Sequence, residues 1–298
     1  MNQGRTMIPA PQAIKGDVKA VSSAAKEIEL RRMMRGLRNV LVAYSGGVDS
    51  TYLAFIATQE LGANAVCVMG NSPSVSKYQR SEAVAAASSG GFDFTTIETL
   101  ELQDENYAAN PANRCYFCKS ELFEKLQEFA AEHGRFVVVD GTNADDLADH
   151  RPGRAAAAER NVRSPLAEVG FSKAEIRERS RSHDLRSWDK PASPCLSSRI
   201  AHGVPVTIER LSRVELAEQA LREEGFREFR VRVHDGLARI EIAADEFARA
   251  LDITMIARVR AVFKQIGFKY VTLDLEGFRS GSTNGGAQFG AKTAQRKT

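Results

Sequence analysis

Short apolar runs alternate along this chain with longer stretches in which apolar residues recur every three or four positions. The runs fall at 39–44, 65–69, 92–97 and 135–140 and predict strands, while the helical spacing covers about 48–61, 76–89 and 119–132. Ile28, Leu30, Met33, Met34 and Leu37 predict a further helix leading into the first strand. Strands separated by helices of this length give an α/β fold with a parallel sheet covered on both faces. In such sheets ligands bind beyond the carboxyl ends of the strands. After Pro191-Ala192-Ser193-Pro194 the pattern changes. A helix over about 207–224 precedes two alternating stretches, 228–234 and 237–243, which flank Asp235-Gly236 and read as a hairpin. A helical stretch over 245–266 and a last strand at 269–275 complete a smaller α+β unit. The expected organisation is a flexible arm over 1–22, a parallel-sheet domain over 23–200, an α+β substrate or oligomerisation domain over 201–277 and a disordered tail over 278–298. That tail is rich in Gly, Ser and Thr and has too little apolar surface to order itself.

Composition narrows the function classes. With 298 residues, 43% of them hydrophobic, the chain can bury the cores of two units. A net charge of +3 is too mild to announce a nucleic-acid partner. No apolar run approaches the roughly 18 residues of a membrane span, and Met-Asn-Gln-Gly-Arg is not followed by an apolar signal core, so the expected compartment is the cytoplasm. Four cysteines there point to metal ligands, reactive thiols or core filler rather than to a disulfide framework.

The strand ending at Tyr44 runs into Ser45-Gly46-Gly47-Val48-Asp49-Ser50 and then into a helix. Gly46 and Gly47 have no side chain to block a ligand and can let successive N–H groups converge on an anion. The following helix adds its unpaired amides and the positive end of its dipole. Ser45 and Ser50 can donate hydroxyl hydrogen bonds, and Asp49 can hold a magnesium ion or a water beside phosphates. A plain glycine turn with a helix cap is the simpler account of such a loop; the strand before it and the helix after it favour a phosphate cradle. No Gly-Lys-Ser/Thr follows, so it is not a Walker loop. The hexapeptide instead resembles the pyrophosphatase-loop (PP-loop) signature of enzymes that split ATP into AMP and pyrophosphate. A second polar loop, Gly141-Thr142-Asn143-Ala144-Asp145-Asp146, follows the fourth strand and faces the same crevice.

Cys67 lies inside an apolar strand and reads as core filler. Cys115 and Cys118 form a CxxC pair able to chelate or to cycle between thiols and a disulfide. Cys195 stands in the polar stretch Ser193-Pro194-Cys195-Leu196-Ser197-Ser198-Arg199. Three thiolates without a fourth ligand suit an iron–sulfur cluster with one open iron. Cys195 can instead be a lone nucleophile resolved by the CxxC pair, and incidental cysteines are a third reading. Arg230 and Arg232 alternate along a strand and so share a face, where they can grip a phosphate or form only a solvated edge.

Several separated motifs in one order carry a resemblance. The loop Ser45–Ser50, the run Arg114-Cys115-Tyr116-Phe117-Cys118-Lys119, the loop Gly141–Asp146 with Arg151-Pro152-Gly153, and Pro194-Cys195-Leu196-Ser197-Ser198-Arg199 are together similar to the LarE family of ATP-dependent sulfur transferases, over about residues 25 to 276. The resemblance implies that a carboxylate of pyridinium-3,5-biscarboxylic acid mononucleotide is adenylated, with release of pyrophosphate. Sulfur then displaces AMP to give the thiocarboxylates of a nickel-pincer cofactor. It assigns Ser45, Gly46, Gly47, Asp49 and Ser50 to the ATP phosphates and Mg²⁺; proximity to the motifs alone adds Asp145 and Arg199 as nucleotide-side candidates and Lys119 as a catalytic one. In some members a single cysteine at the position of Cys195 gives up its own sulfur. Members with all three thiols imply a 4Fe-4S cluster on Cys115, Cys118 and Cys195, recharged by sulfide or a sulfur-delivery protein. Arg230 and Arg232 are assigned to the substrate phosphate, Glu218 and Glu241 to the neighbourhood of a bound metal, and the family tends to form homo-oligomers.

Two enzyme classes share the loop. PP-loop tRNA thiolases also combine it with CxxC-plus-one cysteines but need a dense basic face for RNA, which is not evident here. Amidating or NAD-forming synthetases leave Cys195 without a task. A nucleotide-binding or iron–sulfur carrier module is the reading outside enzymology.

Overall fold

The computed structural model describes residues 21–134, 136–147 and 152–279. The arm expected over 1–22 and the tail expected over 278–298 lie almost wholly outside these, as does Arg151 of the third motif. In chain order the elements of the first unit are α1 (Ser23–Leu37), β1 (Val40–Ala43), α2 (Val48–Leu61), β2 (Ala65–Asn71), α3 (Lys77–Gly90), β3 (Asp93–Glu98), α4 (Glu105–Ala108), α5 (Arg114–His133), β4 (Val137–Val139), α6 (Ala144–Leu147), α7 (Gly153–Glu159), α8 (Pro165–Glu168) and α9 (Lys173–Ser182). The remainder comprises α10 (Ile208–Glu223), β5 (Phe229–His234), β6 (Leu237–Ile242), α11 (Phe247–Ala250), α12 (Ile253–Ile266) and β7 (Tyr270–Leu273).

All four strands of the first sheet are parallel, in the order β3-β2-β1-β4. A parallel bridge between Val139 and Arg163 extends the sheet beyond β4. Val40–Ala43 is buried along its whole length, as a strand covered on both faces requires. Its alternate residues serve two cores. Val40 and Val42 join Leu30 and Met34 of α1 and Leu53 and Ile56 of α2, whereas Leu41 and Ala43 meet Phe123 and Leu126 of α5 and Ala156 of α7. The α/β parallel-sheet expectation therefore holds. Because β2 lies on one side of β1 and β4 on the other, the strand order reverses at β1, which makes the gap between the ends of β1 and β4 the crevice of the sheet.

The second sheet has the order β5-β6-β7, with the expected hairpin antiparallel and β7 parallel to β6. Its core gathers Leu211, Val214 and Leu221 of α10, Val231, Ile240 and Phe263. Tyr107 and Leu196 join the same core, and Ile200 bridges Val233, so the two units are packed together. Phe278 donates its backbone N–H to Ile242, which ties the first residue of the expected tail to this sheet.

Three differences from the sequence reading have local causes. The helix expected from 119 begins at Arg114, which puts Cys115 and Cys118 on its first turn, one turn apart. The stretch 245–266 is broken by Asp252, whose carboxylate caps a new helix by accepting from Thr254 and Met255 N–H. The segment from 144 to 182, which the apolar pattern left without elements, holds four helices, the last started by a capping box between Ser172 and Glu175.

Candidate functional site

The cradle is built by backbone that only glycine allows. Gly46 has φ +68°, and a Cβ there would stand 2.5 Å from the Ala83 Cβ and 2.7 Å from its Cα. The loop thus lies directly on α3. Ser45 and Ser50 hydroxyls share a 3.0 Å hydrogen bond, the Ser50 hydroxyl is positioned to donate to Gly47 O at 3.2 Å, and Gly47 N–H donates to the Ser45 hydroxyl at 3.4 Å. Gly47 ends the loop as the N-cap of α2 without a side-chain cap, so the first amides of that helix are left to other acceptors. Opposite, a Cβ on Gly141 would stand 2.9 Å from Ser50 N, so the loop after β4 closes directly onto the start of α2. Asp140 anchors that loop, accepting from Thr142 N–H and from the Thr142 and Ser164 hydroxyls. Asn143 Oδ1 accepts from Asp145 and Asp146 N–H.

Two lysines that the motif reading missed converge on the cradle. Lys173, the first residue of α9, forms an ion pair with Asp49 Oδ2, and its N–H donates to the Asp145 carboxylate at 2.8 Å. Among the described residues the buried Asp49 Oδ1 has no close hydrogen-bond partner, the Asn143 amide being its polar neighbour. Burial raises the Asp49 pKa, and the nearby Asp146 adds to this, against the opposing pull of Lys173. A buried carboxylate oxygen without a close partner, at the end of β1, is chemically suited to a magnesium ion. Lys190 donates to Gly46 O at 3.1 Å and stands 3.9 Å from Glu82, and burial lowers its pKa. The Ser172-Lys173-Ala174-Glu175 capping box was the available sequence signal for Lys173; Lys190, in an irregular segment, had none.

An open cleft of about 620 Å³ runs from Gly46 and Lys190 past Ser193 to Arg199, Arg230 and Phe278. Cys195 is partly buried on the segment that borders it. Five hydrogen bonds hold that segment. Gln79 of α3 donates to Ser193 O at 2.7 Å and to its hydroxyl at 2.8 Å; Leu196 N–H donates to Ser74 O at 2.8 Å; Arg199 donates to Pro194 O at 2.6 Å and to Cys195 O at 3.1 Å. Lys190 and Cys195 are five residues apart, so the cradle contact and the thiol are joined by a chain that spans at most about 18 Å.

The CxxC pair is brought to the same place by Arg114. This buried arginine donates to Asn110 Oδ1 and, at 2.9 Å, to Ser197 O, which ties the start of α5 to the Cys195 segment. Beneath lies a buried hydroxyl cluster in which Tyr107 shares 2.7 Å hydrogen bonds with both Ser74 and Ser197. Burial raises the Tyr107 pKa, and Cys195 and Cys118 raise it further. Burial likewise pushes the Cys118 thiol up, with added contributions from Glu101, Cys195 and Cys115. The three thiols are therefore electrostatic neighbours, whereas Cys67 is fully buried in the sheet core and its thiol is pushed up to about 12 by burial. Lys119 lies along its own helix, its ammonium 5.2 Å from the Phe123 ring.

Among the described residues no three His, Cys, Asp or Glu side chains are grouped to hold a metal ion. A four-iron cluster makes a different demand, because each thiolate binds its own iron and the sulfurs need not converge on one point. Cys118 and Cys195 beside the Tyr107 hydroxyl, with Cys115 one helical turn before Cys118, are soft donors that suit that group in kind.

The arginines and glutamates at the far end of the cleft pair with one another. Arg199 meets Glu218 at 2.8 and 3.2 Å, and Glu218 also accepts from Val231 N–H; Arg232 meets Glu241 at 2.7 and 3.4 Å, and Arg239 reaches Glu241 at 3.0 Å. Glu218 and Glu241, expected beside a metal, are thus committed to guanidinium groups, and Arg199 serves the Cys195 segment. Arg230 differs: it is 5% exposed, stacks 4.7 Å from the Phe278 ring, and among the described residues makes no ion pair with a carboxylate. Burial lowers its pKa, and the neighbouring Arg199 and Arg232 add to this.

No family model matches the chain. It is 47% identical over 255 residues to an uncharacterised protein of Synechocystis sp., covering 86% of this chain and 95% of that one. It is 31% identical over 243 residues to an uncharacterised protein of Methanocaldococcus jannaschii, covering 82% and 92%. To the pyridinium-3,5-bisthiocarboxylic acid mononucleotide synthase of Lactiplantibacillus plantarum it is 35% identical over 263 residues, covering 88% and 94%. With that likeness extending over 88% of its length, the chain belongs to the LarE family.

Proposed function

We propose that the protein is an ATP-dependent sulfur transferase that adenylates the carboxylates of pyridinium-3,5-biscarboxylic acid mononucleotide and replaces their oxygen with sulfur. The observation that carries this reading is a single cleft running from the glycine cradle to Arg230, which among the described residues has no ion pair with a carboxylate, with the Cys195 segment along its side. A carboxylate cannot expel oxide, so it must first attack the α-phosphate of ATP, giving an acyl-adenylate and pyrophosphate. The amides of the cradle and the N-terminus of α2 oppose the charge that develops there. Magnesium, held by Asp49, would further neutralise the phosphates. Lys173 orients the Asp49 carboxylate and opposes the effect of its burial. Arg230 anchors the substrate phosphate, a task its forked donors suit, while Arg199 and Arg232 fix the surface around it through Glu218 and Glu241.

Sulfur then displaces AMP from the acyl carbon. A 4Fe-4S cluster held by Cys115, Cys118 and Cys195 would supply that sulfur as a sulfide on its open iron. Arg114 and Asn110 keep the two cysteine segments together, and the Tyr107 hydroxyl cluster supports them from below. The absence of RNA-scale positive charge favours a small substrate over tRNA.

The deciding experiment incubates the anaerobically reconstituted protein with the biscarboxylic mononucleotide, ATP, magnesium and sulfide. Pyrophosphate, AMP and thiocarboxylate are expected, with an unchanged polypeptide mass over several turnovers. Absence of pyrophosphate while ATP still binds overturns the enzymatic reading. Loss of one sulfur atom per chain overturns the cluster as donor and assigns the sulfur to Cys195.

A further inference from the structure

The segment from Lys190 to Cys195 is held at both ends. At one, the Lys190 ammonium sits on the carbonyl of Gly46, a residue whose backbone forms the cradle. At the other, Gln79 and Arg199 grip Ser193, Pro194 and Cys195 through their carbonyls. Between them Pro191, Ala192 and Ser193 are exposed and belong to no helix or strand. Two of these ties, Gln79 and Ala83 beneath Gly46, come from α3, so both ends rest on one rigid helix. Pro191 removes a donor and stiffens the chain directly after the lysine.

We propose that Lys190 contacts the nucleotide phosphates and couples their presence to the placement of Cys195. The inference rests on the ATP-dependent reading above. An ammonium on the cradle's own carbonyl, bordering the same cleft, lies where triphosphate charge accumulates. The nearest carboxylate, that of Glu82, is 3.9 Å away, and burial already disfavours the charged form of Lys190, so an arriving polyanion is a strong attractant. Holding the ammonium between Gly46 O and phosphate fixes the first residue of the segment. With only five residues to the thiol, that restraint reaches Cys195, so the sulfur site is set in place when the activating nucleotide is bound. Lys190 is thus a phosphate-contacting and positioning residue, distinct in position from Lys173 on Asp49.

The test uses the full chain, reduced and free of iron, and measures iodoacetamide modification of each cysteine by peptide mass. Saturating Mg·ATP is expected to slow modification of wild-type Cys195 several-fold and to leave the exposed Cys115 unchanged. Lys190→Met is expected to bind ATP roughly tenfold more weakly, the loss of one charge-assisted hydrogen bond, and at saturating ATP to show no slowing at Cys195. Lys190→Arg is expected to restore the slowing. A melting temperature well below wild type identifies a variant that has merely unfolded, and for that variant Lys190→Gln supplies the same measurement. Unchanged slowing in Lys190→Met, or none in a wild-type chain that binds ATP, overturns the inference alone. A wild-type chain that binds no ATP overturns the functional reading with it.

Discussion

On the proposed function Asp49 serves the nucleotide and Cys195 the sulfur, and substitution separates these two roles. Asp49→Asn removes a charge from a buried oxygen that has no close hydrogen-bond partner among the described residues and breaks the Lys173 ion pair. ATP–pyrophosphate exchange with the mononucleotide present is expected to fall by about 10²-fold or more, the scale seen when one preorganised electrostatic group is lost. Cys195→Ala is expected to leave that exchange within about threefold of wild type, because the thiol makes no contact needed by the cradle, and to abolish thiocarboxylate formation. The motif residues at both positions were legible in the sequence because each sits in a run of unusual composition. Lys173, Lys190, Arg114 and Tyr107 were given no role, since an isolated lysine or tyrosine looks the same whether it meets solvent or a phosphate cradle. Their significance comes from partners 83 to 144 residues away.

At the scale of elements, α2 depends on the loop before it and on the helices around it. Gly46→Ala places a methyl against the backbone of Ala83 and forces an L-residue to positive φ. A loss of about 1–3 kcal/mol in urea unfolding is expected, together with loss of ATP binding, because the loop must lift from α3 to relieve the clash. Behind the cradle, α1, α2 and α9 meet at Glu27, which is buried and hydrogen-bonded to Tyr52, Arg31, Arg179 and His183. Burial by itself would raise its pKa, but these hydrogen bonds together outweigh burial and hold it at about 2, below the ordinary 4.5. A depressed carboxylate pKa stabilises the fold above about pH 4.5, and that stabilisation is lost as pH falls toward 2. The amount is about 3 kcal/mol. Between pH 6 and pH 3, wild type is therefore expected to lose more unfolding free energy than Glu27→Gln, with the gap closing as acid protonates Glu27. Equal pH slopes for the two proteins would show that Glu27 is not the titrating group. The helices α1 and α2 were visible as periodic apolar stripes, but their junction was not, because Glu27 looks like any surface glutamate until His183 and Arg179 reach it.

Across the whole molecule, the two sheets create what neither holds alone, a cleft with a glycine cradle at one end and a buried arginine at the other. Arg230→Ala is expected to raise KM for the mononucleotide at least about tenfold while leaving ATP affinity unchanged, as steady-state kinetics with each substrate varied would show. Arg232→Ala, which strips the buried Glu241 of its 2.7 Å guanidinium partner, is expected instead to lower the melting temperature. The sequence by itself determined the four parallel strands, the helices between them and the hairpin, because apolar periodicity is local, and it marked Ser45-Gly46-Gly47-Val48-Asp49-Ser50 as the loop between its own strand and helix; the short helices between 144 and 182 it did not show. It also singled out Cys115, Cys118 and Cys195 from Cys67, which the structure buries in the sheet core. The tertiary structure alone decided which charges are free to act. Arg230 and Arg232 are equivalent by strand period, yet one is tied to Glu241 and the other borders the cleft. Pairing of buried charges depends on long-range packing, which brings together groups distant in the chain and which no local pattern encodes.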